Sequence, residues 1–278
     1  MEPLFWPKSG RIPVRNLRRQ LKHTQLFWRE VGRGKTVVLL HGPWQDGDQW
    51  SELLPILGSH YHCLAPDLIG FGESERLADK SAYSIAMQVN TLKELLESLR
   101  LTSVVLVGHS LGAWVAARYA LQYPEQVQGL CVLEPEGIVN EPKRWQQERW
   151  LASPLGGLWL TVTRLFARKS VPKQRTAWLQ KHHLRQMLKR HSAACRLLFQ
   201  RRRNAIEPEL VGSQLGALSI PIVALQGDRA TAVSQRLTQT FAMAAPNAMV
   251  KVLPGDEDLP SHEAAAIATF LQEWLTTL

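Results

Sequence analysis

Ser110 stands in the run Gly108-His-Ser-Leu-Gly112. A serine spaced Gly-x-Ser-x-Gly can be raised as a nucleophile at the apex of a strained strand-to-helix turn, because the missing side chains let the backbone pass close by. The sequence supplies both flanks: Ser103-Val-Val-Leu-Val reads as a buried strand and Ala113 to Tyr123 as a helix. That helix aims its N-terminal N–H groups and the positive end of its dipole at an oxyanion forming beside Ser110. The backbone N–H of Leu111 is therefore the first candidate oxyanion donor. A serine hydroxyl is a poor nucleophile at neutral pH, so the chemistry also calls for a histidine base, a carboxylate to orient it and a second oxyanion donor.

The elements around this turn alternate between apolar β-rich runs and helical patterns, as in a mostly parallel sheet with helices on both faces. Strands are expected at Leu26–Val31, Thr36–His41, His62–Pro66, Ser103–Gly108, Gln128–Leu133, Pro221–Gln226 and Met249–Leu253. Helical spacing marks Ser84–Leu99 and Glu263–Leu275. Between residues 137 and 204 the alternation stops and only helices follow. One carries Leu155, Leu158, Trp159, Val162, Leu165 and Phe166 on a stripe with Arg164 and Arg168 off it; another carries Leu184, Met187, Leu188, Cys195 and Leu198. Amphipathic helices inserted at one point of such a sheet are expected to form a lid, packed as a helical subdomain with a solvated polar face. The expected organisation is a basic arm at 1–22, a core at 23–136 and 205–278, and the lid at 137–204.

Apolar residues make up 45% of the 278 and charged residues 21%, which is a globular composition. The formal charge of +9 is unevenly placed: the lid segment has 16 Lys and Arg against 2 Glu, the arm 6 against 1, and the remaining core is acidic at −10. Cys63, Cys131 and Cys195 lack metal-ligand spacing and read as small core residues in a reducing compartment. No apolar run approaches the roughly 20 residues that span a bilayer. Met1 to Pro7 lacks the pattern of a secretory signal, so a cytoplasmic location is expected, peripheral at the membrane if the basic helices touch it. No cofactor and no metal are expected.

The chain resembles the α/β-hydrolases, of the lidded bacterial serine-hydrolase type. The resemblance rests on Val38-Leu-Leu-His-Gly42, Pro66-Asp-Leu-Ile-Gly-Phe-Gly-Glu-Ser74, Val107-Gly-His-Ser-Leu-Gly112 and Leu225-Gln-Gly-Asp228, in order along nearly the whole chain. It implies a parallel α/β-hydrolase sheet and attack by Ser110 on an ester, thioester or similar acyl bond, with the triad in the order serine, acid, histidine. The family's second oxyanion donor follows His41-Gly42, where this chain has Pro43, which has no N–H. Trp44 is the substitute, from its backbone or indole. The acid expected after the seventh strand falls on Ala230, with Asp228 two residues early, so Glu134 at the end of the sixth strand is the preferred acid and Asp228 the other. Counting back from Phe270, the loop that carries the family's histidine looks short. His262, the only histidine beyond the last strand, is the candidate base. His41 and Trp159 are candidate substrate contacts.

Two functions follow from the resemblance. The first is a serine hydrolase of a lipid-like or carrier-bound acyl substrate with a displaced triad. The second is an inactive pseudo-hydrolase that binds through its basic lid. Trp145, Trp150, Trp159 and Trp178 interleave with the lid's Arg and Lys, which suits an anionic membrane surface or an acidic carrier protein. No nucleic-acid recognition motif accompanies the charge.

Overall fold

The computed structural model describes residues 13–139, 144–167 and 172–278. Residues 1–12 of the expected arm, Arg168, and the side chains of Arg164, Leu165 and Phe166 lie outside the described residues. Eight strands form one sheet in the order β1-β2-β4-β3-β5-β6-β7-β8. They are β1 (Arg15–Gln20), β2 (Gln25–Val31), β3 (Thr36–Leu40), β4 (His62–Pro66), β5 (Val104–His109), β6 (Val127–Leu133), β7 (Ile222–Gly227) and β8 (Ala248–Leu253). β2 is antiparallel to β1 and β4; every other neighbouring pair is parallel. The seven expected strands are all present. β1 is the one not foreseen: its residues belong to the stretch read as an arm, and Arg15, Arg18 and Arg19 mask an edge strand with charge.

The helices α1 (Leu53–Leu57), α2 (Ile85–Ser98) and α3 (Leu111–Gln122) fall among the first strands. Among the described residues between β6 and β7 the elements are helical: α4 (Gln146–Ala152), α5 (Pro154–Ala167), α6 (Pro172–Arg190), α7 (Ser192–Cys195), a π-helical turn at Arg196–Gln200, and α8 (Arg203–Ile206). The chain closes with α9 (Ala232–Ala244), α10 (Leu259–His262) and α11 (Ala264–Leu275). Alternation along the central strands divides the core in two. On β5, Val104 and Leu106 join the cluster under α2 and α3, while Val105 and Val107 join the one under α1 and α11. Such strands, buried on both faces, explain why the sequence reads as continuous Val, Leu and Ile.

Candidate active site

β5 ends at His109 and α3 starts at Leu111, so Ser110 alone makes the turn, at φ 50° and ψ −106°. This backbone lies outside the helical and extended regions and costs on the order of 1–3 kcal/mol. The turn is held by hydrogen bonds from Ser110 N to Leu133 O (2.8 Å) and from Glu136 N to Ser110 O (3.2 Å). The flanking glycines are sterically required. A Cβ on Gly108 would lie 2.5 Å from Gly112 O, and one on Gly112 would lie 2.2 Å from Leu40 O.

Ser110 borders a cavity of about 290 Å³ whose wall includes Pro43, Trp44, His109, Glu134, Trp145, Glu257 and Asp258. Among the described residues no side chain is hydrogen-bonded to Ser110 Oγ. The Leu111 N–H is one of the orphan donors of the first turn of α3. The segment Gly42-Pro43-Trp44-Gln45 forms a tight turn with Gln45 N donating to Gly42 O at 3.4 Å, and Pro43 takes its second position, where a fixed φ is favourable. The N–H of Gly42 is consumed by Gln49 Oε1 at 2.9 Å. Trp44 lines the cavity and meets Trp145 and His191 edge-on, at centroid distances of 6.3 Å and 6.0 Å.

Hydrogen bonding settles the tautomers of the two buried histidines near the turn. Gln49 uses its oxygen on Gly42 N, so its amide nitrogen donates to His109 Nδ1 (3.0 Å) and to Asp258 Oδ1 (3.0 Å). His109 Nδ1 is then an acceptor, and its Nε2–H donates to Glu257 O at 3.0 Å. His41 is the mirror case: Leu68 N donates to its Nε2 (3.0 Å), so its Nδ1–H donates to Gly42 O (2.8 Å). Burial holds both rings neutral, pushing His109 down and His41 down to about 4. Neither ring has a nitrogen left to take a proton from Ser110. His41 does not line the cavity; it packs edge-on against Phe71.

The structure does not bring His262 to the cavity. Its ring is exposed on α10 and its Nδ1 lies 3.2 Å from Asp256 Oδ1. Residues 254–258 form the loop between β8 and α10. Two and three residues beyond Gly255, where the family resemblance calls for a histidine, stand Glu257 and Asp258, and both line the cavity. Asp258 also accepts from Ser261 Oγ at 2.8 Å.

Of the two candidate acids, Glu134 reaches the cavity and Asp228 does not. Asp228 Oδ1 accepts from Gly255 N at 2.8 Å and so ties the end of β7 to the end of β8. Glu134 is buried, with its own backbone at φ 51°. Its Oε1 accepts from Gly227 N at 3.0 Å, and among the described residues its Oε2 has no hydrogen-bond partner. Burial raises this carboxyl to about 7; the Gly227 bond opposes the rise, and the nearby Glu257 and Asp256 add to it. Glu136, which also lines the cavity, forms a two-pronged ion pair with Arg144 (2.6 Å and 2.8 Å), whose guanidinium lies over the Trp145 ring. Sequence reasoning missed Gln49, Glu136 and Arg144, because nothing in their spacing marks them. Trp159 stands on α5, away from the cavity wall. Asp67, in the loop motif after β4, is fully buried and accepts from Gly47 N, Glu73 N and Arg29, so it fastens that loop. Among the described residues no cluster of three or more His, Cys, Asp or Glu is placed to hold a metal ion.

Residues 35–213 match the family model for the alpha/beta hydrolase fold. The chain is 35% identical over 128 residues to 1-acylglycerol-3-phosphate O-acyltransferase ABHD5 of Mus musculus, covering 45% of this chain and 36% of that one. It is 32% identical over 115 residues to 2-hydroxy-6-oxo-2,4-heptadienoate hydrolase of Pseudomonas putida, covering 40% and 41%. These alignments span well under half the length of the curated relatives. Among solved structures, haloalkane dehalogenase DbeA from Bradyrhizobium elkani superposes with a TM-score of 0.73 at 21% identity, over 95% of this chain and 98% of that one. At that identity the superposition speaks for the fold alone.

Proposed function

This chain is a member of the α/β-hydrolase fold family, and on that footing we propose that it uses the elbow and its cavity to bind a ligand, with no imidazole driving Ser110. The observation that carries this reading is Asp258 in the cavity wall on the loop where a histidine is called for, with both nitrogens of His109 engaged elsewhere. An ordinary carboxylate is a weak acceptor for a serine proton at neutral pH, because its pKa lies far below that of an imidazole. Loss of the histidine from a serine triad costs about 10⁶-fold in turnover. The second oxyanion donor is also wanting at Pro43. The cavity walls pair the Trp44 and Trp145 rings with carboxylates, which favours an uncharged acyl or lipid-like ligand over a free acid. The name of the ABHD5 relative, a 1-acylglycerol-3-phosphate O-acyltransferase, supports the acyl-bearing part of this reading.

A second reading is favoured by one observation. Glu134, raised to about 7, is in the range where a general base works best near neutral pH. In that reading Ser110 hydrolyses an ester or thioester with carboxylate assistance. Labelling with a fluorophosphonate, followed by intact mass, separates the two. The binding reading predicts labelling of Ser110 at least about a thousandfold slower than in an imidazole-activated serine hydrolase. Fast stoichiometric labelling that is lost in Ser110→Ala overturns it, and parallel loss in Glu134→Gln points to the carboxylate-assisted enzyme.

A further inference from the structure

The described part of the apolar stripe on α5 faces outward. Leu155 is 71% exposed, Leu158 62% and Val162 50%. Trp150 of α4 and Trp159 of α5 extend the same exposed apolar character, at 42% and 39%. Among the described residues, the inner side of α5 includes Leu160, which is buried, Gly156, where a Cβ would lie 2.3 Å from Trp150 O, and Gly157, where one would lie 2.2 Å from Arg185 Nη2. The Trp150 and Trp159 rings meet edge-on at 5.3 Å, and the Lys181 ammonium lies 5.2 Å from the centre of the Trp159 ring. Arg149, also exposed, is the neighbour of Trp150. The surrounding segment, residues 137–204, carries 16 Lys and Arg against 2 Glu.

We propose that this face of α4, α5 and α6 docks on an anionic lipid surface. A bilayer interface takes Trp and Leu side chains into the headgroup and acyl boundary and leaves flanking Lys and Arg among anionic headgroups, and this surface has both parts. Charge alone would suit an acidic protein, but the exposed leucines and tryptophans set within the charge favour lipid. Among the described residues no helix is long and apolar enough to cross a membrane, so the contact is with the surface. α4 begins directly after Trp145, which lines the Ser110 cavity, and carries Trp150 on the exposed face. One short helix thus joins the cavity wall to the docking face, and a lipid-like ligand would reach the cavity from the bilayer.

The test is flotation of the full chain with vesicles of phosphatidylcholine alone and of phosphatidylcholine with about 30% phosphatidylglycerol, at about 0.05 M and about 0.5 M salt. The expected result is binding at least about tenfold tighter to the anionic vesicles, weakened by salt. The double variant Leu155→Ser with Leu158→Ser is expected to lose at least about tenfold in affinity while its thermal midpoint is unchanged, since both side chains are exposed. Absence of binding to anionic vesicles at low salt overturns the proposal. So does binding that the double variant leaves intact, or binding to a purified acidic acyl carrier protein with none to vesicles. Ser110→Ala is expected to float like wild type, so this outcome is independent of whether Ser110 turns over.

Discussion

At the scale of single residues, the site is defined by which hydrogen bonds are already used. Gln49 fixes His109 as a donor to Glu257 O and at the same time binds Asp258 and Gly42, so one amide engages the histidine, the loop after β8 and the backbone that precedes Pro43. If the missing imidazole is what keeps Ser110 quiet, supplying one should wake it. Asp258→His combined with Ala230→Asp, which restores the family's acid position, is expected to speed fluorophosphonate labelling of Ser110 at least about tenfold over wild type, a small part of what a complete triad gives. A folded double variant that labels no faster speaks against the assignment of position 258. Glu134 makes a separate prediction about pH. Its folded-state pKa, about 7, lies above its unfolded value near 4.5, so the folded chain holds the extra proton and stability falls as pH rises from about 4.5 through 7. Glu134→Gln removes this dependence. Urea unfolding at pH 5 and pH 8 is expected to show wild type losing about 2–3 kcal/mol relative to the variant across that window. The elbow at Ser110 was legible because two glycines and a strand announce it. Gln49 and Asp258 were not, because an amide or a carboxylate in a loop acquires its meaning only from what folds against it.

At the scale of elements, the elbow depends on contact between α3 and the ends of β3 and β5. Gly112→Ala would drive a methyl group to 2.2 Å from Leu40 O, so the helix would have to move. The expected cost is about 1–3 kcal/mol in chemical denaturation, or failure to fold; an Ala variant as stable as wild type would contradict the packing described. A second junction ties the helical insertion to the elbow: Glu136, whose N–H holds Ser110 O, pairs through its carboxylate with Arg144 just before α4. Arg144→Ala is expected to raise hydrogen exchange in residues 137–152 and to lower stability by about 1–3 kcal/mol, leaving the protection of β5 and β6 intact. Uniform loss of protection would place the junction's effect on the whole fold. The central strands were legible from their continuous apolar runs. β1 was not, since a charged edge strand that buries little has almost no apolar pattern to read.

At the scale of the whole molecule, opposite charges are segregated. An acidic core holds a cavity walled by Glu134, Glu257 and Asp258, and a basic helical insertion is joined to it at the Arg144–Glu136 pair. The fold class could be read from four ordered motifs and the alternation of strand and helix. The orientation of the inserted helices could not, because an amphipathic stripe records that one face is apolar and not what covers it; on α5 that face points outward. Steady-state hydrolysis of a p-nitrophenyl acyl ester by wild type and by Ser110→Ala separates an elbow that serves binding from one that serves acyl transfer. The two proteins are expected to give the same rate, indistinguishable from that of buffer. A wild-type rate well above buffer that falls to the buffer rate in Ser110→Ala would contradict the binding reading.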